Sequence, residues 1–289
     1  MKRIAESELI LNPDGSIYHL HLLPEDLADK IITVGDPDRV HTVTKHFDSI
    51  EVKKQKREFC THTGYIGKKR VSVISTGIGT DNIDIVFNEL DALVNIDLQT
   101  RTEKTEKKSL EIIRIGTSGT LQKDINVDSV LLSSHGLGLE GLLNFYRIEN
   151  DESEQAILDK INQSLTLPIA PRISEASDKL LAHFDTTNYH KGITATSTGF
   201  YGPQGRFLRL QPAVDDYIDK LAAIDLGGNR ITNLEMETAG IYGLGKLLGH
   251  QCLSINVILA NRPLGLFSKT PKESVEKVII ESLEKIETL

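Results

Sequence analysis

The run Ile112-Ile113-Arg114-Ile115-Gly116-Thr117-Ser118-Gly119 sets an arginine inside an apolar, β-branched stretch and follows it with hydroxyls and glycines. A short apolar run bounded by glycine reads as a buried strand. A guanidinium inside it is costly unless something negative meets it. Four further runs have the same character: Ile31 to Val34, Val71 to Ile74, Ile193 to Thr196 and Ile255 to Leu259. Between the second run and the arginine strand, Ile83, Val86, Phe87, Leu90, Leu93 and Val94 recur at three and four, the mark of a helix with one buried face. Near the other end, Thr270, Pro271 and Glu273 offer an N-cap, a first-turn proline and a capping carboxylate. Val275, Val278, Ile279, Leu283 and Ile286 then form the apolar stripe of a closing helix. Strands alternating with helices predict an α/β fold, a three-layer α/β/α sandwich around a central mixed sheet. Ligands in such folds gather just past the strand ends.

The whole chain sets limits on what those loops can do. Lys and Arg number 33 against 41 Asp and Glu, a net charge of −8, the wrong sign for a broad nucleic-acid or anionic-membrane surface. Any positive site is therefore local. Cys60 and Cys252 are too few and too far apart in sequence for a disulfide framework or a thiolate-rich metal site, which fits a reducing cytoplasm. Nothing resembles an export leader or a membrane span. The polar stretch Gln99 to Ser109 reads as a solvated insertion loop or a helix extension. With no repeat and no linker, residues 1–289 are expected to form a single domain.

Three segments share one chemical logic. The first strand runs into Gly35-Asp36-Pro37-Asp38-Arg39, a turn that holds an arginine at its rim. The second ends in Ser75-Thr76-Gly77-Ile78-Gly79-Thr80, whose glycines let backbone N–H groups approach an anion at a helix entry. The arginine strand is the third. Guanidinium forks plus hydroxyl and backbone donors suit an oxyanion such as inorganic phosphate. Both the Walker lysine and the full dinucleotide fingerprint are missing. Further on, Phe200-Tyr201-Gly202-Pro203-Gln204-Gly205-Arg206 offers an aromatic face for a planar heterocycle, with an amide and a guanidinium for its polar edge; a Gly-Pro surface turn is the plain alternative. Leu234-Glu235-Met236-Glu237 begins a glycine-containing helical stretch. There Glu237 could hold vicinal hydroxyls, or be an exposed carboxylate at a helix start.

Taken in order, these segments resemble the nucleoside phosphorylase family, in particular its bacterial uridine phosphorylase branch. His19-Leu20 with Asp26-Leu27, Gly35 to Arg39, Arg57-Glu58-Phe59, Ser75 to Gly79, Arg114 to Gly119, Phe200 to Arg206, Glu235 to Glu237 and Asn261-Arg262 all find counterparts. The resemblance implies that Gly35, Arg39, Arg114 and Thr117 bind phosphate, with Arg57 reaching into a neighbouring subunit's pocket. It implies that His19 crosses the interface to the ribose, which Thr117, Glu235, Met236 and Glu237 also contact. Phe200, Gln204 and Arg206 correspond to the pyrimidine pocket and Arg262 to the residue behind it. Purine-using relatives place an aspartate where this chain has Asn261-Arg262, which favours uracil, and the Gln204 and Arg206 pair suits an imide edge. No organic cofactor is implied. Some relatives hold a monovalent cation between subunits near positions matching Glu58, Ile78 and Asn82. The chain departs from the shorter bacterial pattern in an N-terminal extension (1–17), the charged insertion (99–109) and a glycine-rich segment, Gly136 to Gly141. It also reverses the commoner Pro-Gly order at Gly202-Pro203 and has Gly205 in place of a larger polar residue.

The resemblance thus implies a cytoplasmic pentosyltransferase, a uridine phosphorylase that takes a small-molecule nucleoside and phosphate as co-substrates. Catalysis would rest on Arg114, Gln204, Arg206 and Glu237. Shared sites imply a homo-oligomer, a dimer at least, with a hexamer of dimers expected. The competing readings are a purine or broad-specificity phosphorylase, a nucleosidase of the same fold and a non-catalytic nucleoside-binding module. Three arginines around an anion argue against the nucleosidase, since hydrolysis needs no such cluster.

Overall fold

The computed structural model describes residues 2–214 and 216–289. In chain order the elements are β1 Lys30–Val34, α1 Pro37–Thr44, β2 Ser49–Lys56, β3 Phe59–Ile66, β4 Lys69–Ser75, α2 Thr80–Asn95, β5 Ile96–Asp97, β6 Thr102–Glu103 and β7 Glu111–Thr120. They continue as β8 Val130–Gly138, α3 Glu152–Ser164, β9 Arg172–Glu175, α4 Asp178–Phe184, β10 His190–Thr196, α5 Tyr217–Ala222, β11 Ile231–Glu235, α6 Thr238–Leu248, β12 Gln251–Asn261, β13 Leu266–Phe267 and α7 Pro271–Thr288. All five strands expected from β-branched runs are present. The sheet is mixed, as expected for the α/β class. β1 pairs in parallel with β4 and β7, while β2, β3 and β4 form an antiparallel meander at one edge.

At the other side the sheet closes on itself. β7 pairs with β12, β12 with β8, β8 with β10, β10 with β11, and β11 returns to β7. The long strands β7 and β12 make this closure possible. Each serves the open sheet with its first half and the closed ring with its second, so Gly116 to Gly119 are strand residues and the arginine strand runs five residues past Ile115. α6 lies across β8, β9, β10 and β12 with α2 beside it, α1 covers β1, β3 and β4, and α7 packs on β7 and β12. The buried face of α2 is the periodic one: Ile83, Val86, Phe87, Leu90 and Leu93 have no exposed surface. Each contributes roughly 1.5 to 3 kcal/mol of apolar burial.

One local expectation is refined and two need correction. Gln99 to Ser109 is a solvated loop, exposed from Glu103 to Ser109, and not a helix extension. Its start closes a two-stranded ladder in which Ile96 and Asp97 pair with Glu103 and Thr102. Arg101 bonds the Leu9 carbonyl and accepts from the Ile4 amide, so the N-terminal extension and the insertion hold each other. α7 begins at Pro271 as expected, but Thr270 makes no side-chain cap; its own amide donates to Ser268 Oγ instead. Finally, Leu234 and Glu235 end strand β11, and the helix starts only at Thr238. The strands β2, β3, β8, β9 and β11 and the helices α1, α3, α4 and α5 have sequences too polar or too short to stand out by periodicity.

Candidate active site

The ends of β1, β4, β7, β11 and β12 and the turn after β10 surround one cavity of about 670 Å³. It is lined by Gly35, Arg39, Glu58, Ile78, Asn82, Arg114, Thr117, Phe200, Gln204, Arg206, Glu235, Met236 and Glu237, so segments spread over two hundred residues meet at one place.

One end of the cavity is cationic. Asp36 caps α1 by accepting from the Asp38 amide, and Pro37 starts the helix, which sets Arg39 in its first turn facing β7. Arg39 Nη1 lies 3.4 Å from the Ile115 carbonyl, and among the described residues no carboxylate comes within 4.0 Å of its guanidinium. Burial and then repulsion from Arg114 lower its pKa, the condition of a cation that an incoming anion would relieve. Thr117 is half-buried on β7 beside it, two residues along the strand from Ile115.

Arg114 is different, because the negative partner demanded by its sequence setting comes from the chain itself. Its Nη2 donates to Glu237 Oε2 at 2.5 Å and lies 3.2 Å from Glu235 Oε2, while Nη1 donates to Asn256 Oδ1 at 3.1 Å. Burial disfavours the charge, but Glu235 and Glu237 outweigh it and the pKa stands above the ordinary arginine value. The guanidinium folds back under Gly116, where a Cβ would come within 1.7 Å of Nη1. Asn256 carried no signal in the sequence beyond being the one amide inside the apolar run of β12.

Glu237 is buried, not an exposed helix-start carboxylate. Its Oε1 accepts from the Gly79 amide at 2.8 Å, so the backbone donor that looked ready for an external anion holds an internal carboxylate. Burial raises the Glu237 pKa against the pull of Arg114. Glu235 is spent on the turn: its oxygens accept from Thr196 Oγ1 and from the amides of Glu237 and Thr238. Met236, half-buried between them, faces the cavity.

The opposite end holds the aromatic turn. Gly202–Gln204 form one 3-10 turn, closed by Gly205 at φ +63°. A Cβ on Gly205 would come within 2.4 Å of Ile218 Cγ1, so both backbone and space require the glycine that departs from the family pattern. Gln204 is 2% exposed and its Oε1 accepts from Arg206 Nη1 at 2.5 Å. Arg206 also donates to the Phe200 carbonyl and lies with Cζ 3.9 Å from the Phe200 ring centroid, on the face expected to take a heterocycle. Burial and the neighbouring Arg262 bring the Arg206 pKa down to about 10, which leaves it charged at neutral pH. Arg262 stands behind the turn, donating to the carbonyls of Gln204 and Gly205. Asn261 does not face the cavity; its amide is used up on the carbonyls of Gln122, Lys123 and Ile125.

Besides Arg262 behind the turn, two expected residues lie outside the cavity of their own chain. Arg57 is exposed at φ +55° in the turn between β2 and β3. His19 Nδ1 is 2.7 Å from Glu89 Oε1, and the same carboxylate accepts from the backbone amides of His19 and Leu20. Glu58 and Asn82 converge around Gly77, with Ile78 beside them at 68% exposure. Across the aromatic turn, a second cavity of about 660 Å³ is walled by apolar side chains that include Leu139, Ile169, Phe207 and Tyr217. Among the described residues no helix is long and apolar enough to cross a membrane.

Comparison with known proteins places the chain beside nucleoside phosphorylases. A uridine phosphorylase of Thermococcus kodakarensis is 28% identical over 288 residues, covering 98% of this chain and 91% of that protein. One from Escherichia coli is 28% identical, covering 94% of this chain and 98% of its own. A DeoD-type purine nucleoside phosphorylase of Streptococcus suis is also 28% identical, over 83% of this chain and 84% of that protein. The crystal structure of a Trypanosoma brucei nucleoside phosphorylase, described as showing uridine phosphorylase activity, superposes with a TM-score of 0.89 at 28% identity. That match covers 97% of this chain and all of the other. A family model described as the phosphorylase superfamily matches residues 29–289, and the chain therefore belongs to that superfamily.

Proposed function

We propose that this protein catalyses the reversible phosphorolysis of uridine to uracil and ribose 1-phosphate. The observation that carries the reading is one cavity with a guanidinium that no described carboxylate touches at one end, an imide-matching amide and guanidinium at the other, and a buried carboxylate between them. Phosphate would sit against Gly35, Arg39 and Thr117. Arg114 would complete its shell while holding Glu237, the acceptor for the ribose hydroxyls, with Met236 against the sugar.

In the reaction the glycosidic bond breaks with its electron pair passing to the base, and a phosphate oxygen bonds to the anomeric carbon. The ribosyl centre becomes cation-like and the bound phosphate lies beside it. Gln204 and Arg206 face the base oxygens, where negative charge grows, and donors placed there strengthen in the transition state. For the base to stack on Phe200, Arg206 must first leave that ring face. Arg262 positions the turn through its two carbonyl contacts. Glu235 acts at one remove, by fixing the backbone on which Glu237 sits.

Arg57 and His19 do not line their own cavity, which supports a homo-oligomer, at least a dimer, in which each completes a neighbour's pocket. Glu58, Ile78 and Asn82 would hold a monovalent cation at that rim. Residues 1–289 are read as a single domain of a cytoplasmic enzyme of pyrimidine salvage, with residues 1–17 and 99–109 as additions.

The test is an ultraviolet assay of uridine, thymidine, inosine and cytidine, each with and without phosphate. Phosphate-dependent cleavage of uridine, with cytidine inert, is expected. Faster cleavage of inosine would assign the chain to purines. Cleavage without phosphate would make it a nucleosidase, and binding without product would make it a non-catalytic module.

A further inference from the structure

Outside the cavity, His41, Cys60 and His62 form a second cluster of chemically capable side chains. One ligand atom from each lies within 4.8 Å of the others. The cluster is built by two elements. Cys60 and His62 alternate on the same face of β3, and α1, packed on that strand, brings His41 over them. The two imidazole rings meet edge to face with centroids 4.7 Å apart.

The hydrogen bonds around His62 leave one nitrogen ready to bind. Thr44 Oγ1 lies 2.9 Å from the Val40 carbonyl and 2.8 Å from His62 Nδ1. With its one proton on the Val40 carbonyl, the hydroxyl accepts from His62 Nδ1, and the lone pair is then on Nε2. A hydrogen bond of this kind to the nitrogen that does not bind the ion fixes the tautomer and ring orientation of a metal-bound histidine. Among the described residues, neither the Cys60 thiol nor the His41 ring is committed to a side-chain hydrogen bond. Cys60 and His62 are buried, and His41 is exposed at the mouth, so an ion has a path in. Asp38, one turn before His41 on the same helix, is exposed and lies close enough to Cys60 to act on its charge.

We propose that Cys60, His41 and His62 bind a borderline-soft divalent cation, zinc being the best fit, at the seam between α1 and β3. Zinc bonds of ~2.3 Å to sulfur and ~2.0 Å to nitrogen place donor atoms roughly 3.3 to 3.5 Å apart on a tetrahedron. Side-chain rotation would bring the three ligand atoms, which lie within 4.8 Å of one another, to that spacing. Water or Asp38 takes the fourth position. The ion would join the helix that carries Arg39 to the sheet, so it is a structural clamp beside the candidate phosphate end and does not depend on what the enzyme acts on.

The test uses tag-free, full-length protein titrated with Co2+. One equivalent is expected to give an intense near-ultraviolet thiolate-to-cobalt band with the visible bands of a tetrahedral site, and Zn2+ is expected to displace it. Cys60→Ala abolishes the thiolate band, Cys252→Ala leaves it intact, and His41→Ala weakens cobalt binding at least tenfold. His41 is exposed, so that variant is expected to fold even if Cys60→Ala does not. A protein that shows no thiolate band, a band that survives Cys60→Ala, or cobalt affinity unchanged in His41→Ala would each overturn the assignment.

Discussion

Arg114 Nη2 and Glu237 Oε2 lie 2.5 Å apart, both buried, one in β7 and the other at the entry to α6. This pair sits between the two ends of the cavity. A buried pair adds little net stability, but removing one partner strands the other charge, at a cost of about 3 to 5 kcal/mol. Arg114→Met should therefore lower the denaturant-unfolding free energy by that amount. Glu237→Gln keeps an acceptor for the Gly79 amide and should cost less. In the double variant part of the Arg114→Met loss should be recovered; strictly additive losses would show that the pair is not coupled.

Gly116→Ala tests the same pair without touching its charges. The new methyl would meet Arg114 Nη1 at 1.7 Å and force the guanidinium off Glu237 and Asn256. Overpacking of this kind costs about 1 to 3 kcal/mol. Steady-state kinetics with varied phosphate should show kcat/KM for phosphate falling at least tenfold, and unchanged kinetics would remove Arg114 from the site.

The aromatic turn should respond separately from the phosphate end. Arg206→Ala removes a preorganised donor and should lower uridine turnover by ~100-fold or more, beyond any change in substrate KM. Gly205→Ala is strained by its φ of +63° and by contact with Ile218 Cγ1 at 2.4 Å. It should displace Gln204 and reduce kcat/KM for uridine while leaving phosphate binding, measured by calorimetry, within about twofold. The double variant Gly205→Ala/Ile218→Ala relieves the contact but not the strain, so it should recover only part of the loss.

Acid stability should depend on His135. Burial lowers the pKa of this β8 imidazole, against the opposing pull of Glu154 and Asp151. The unfolded chain then takes up the proton first, so stability present above the ordinary histidine pKa of 6.5 is lost as pH falls below it toward the lowered value. The slope from one such group is at most about 1.4 kcal/mol per pH unit. His135→Asn should flatten the dependence of the unfolding free energy between pH 7 and pH 5, in proportion to that single group. An identical slope in the variant would assign the acid sensitivity elsewhere.

The sequence by itself determined the five β-branched strands, the periodic helix α2, the closing helix and the family, because continuous apolar runs and three-four spacing are local properties. It also named most of the residues that line the two ends of the cavity, but not Ala260 or Phe267. Tertiary structure alone decided how those residues are used. Closure of the sheet through β7 and β12 brings Glu237 and Asn256 onto Arg114 from more than a hundred residues away, and it turns the Gly79 amide from an anion donor into a prop for Glu237. Asn261 on the carbonyls of 122–125 and the hold of Arg101 on Leu9 are likewise pairings between distant segments, whereas Arg206 stacks on Phe200 within a single turn. Residue type fixes what a side chain can donate or accept, but only the packed fold fixes which partner reaches it first.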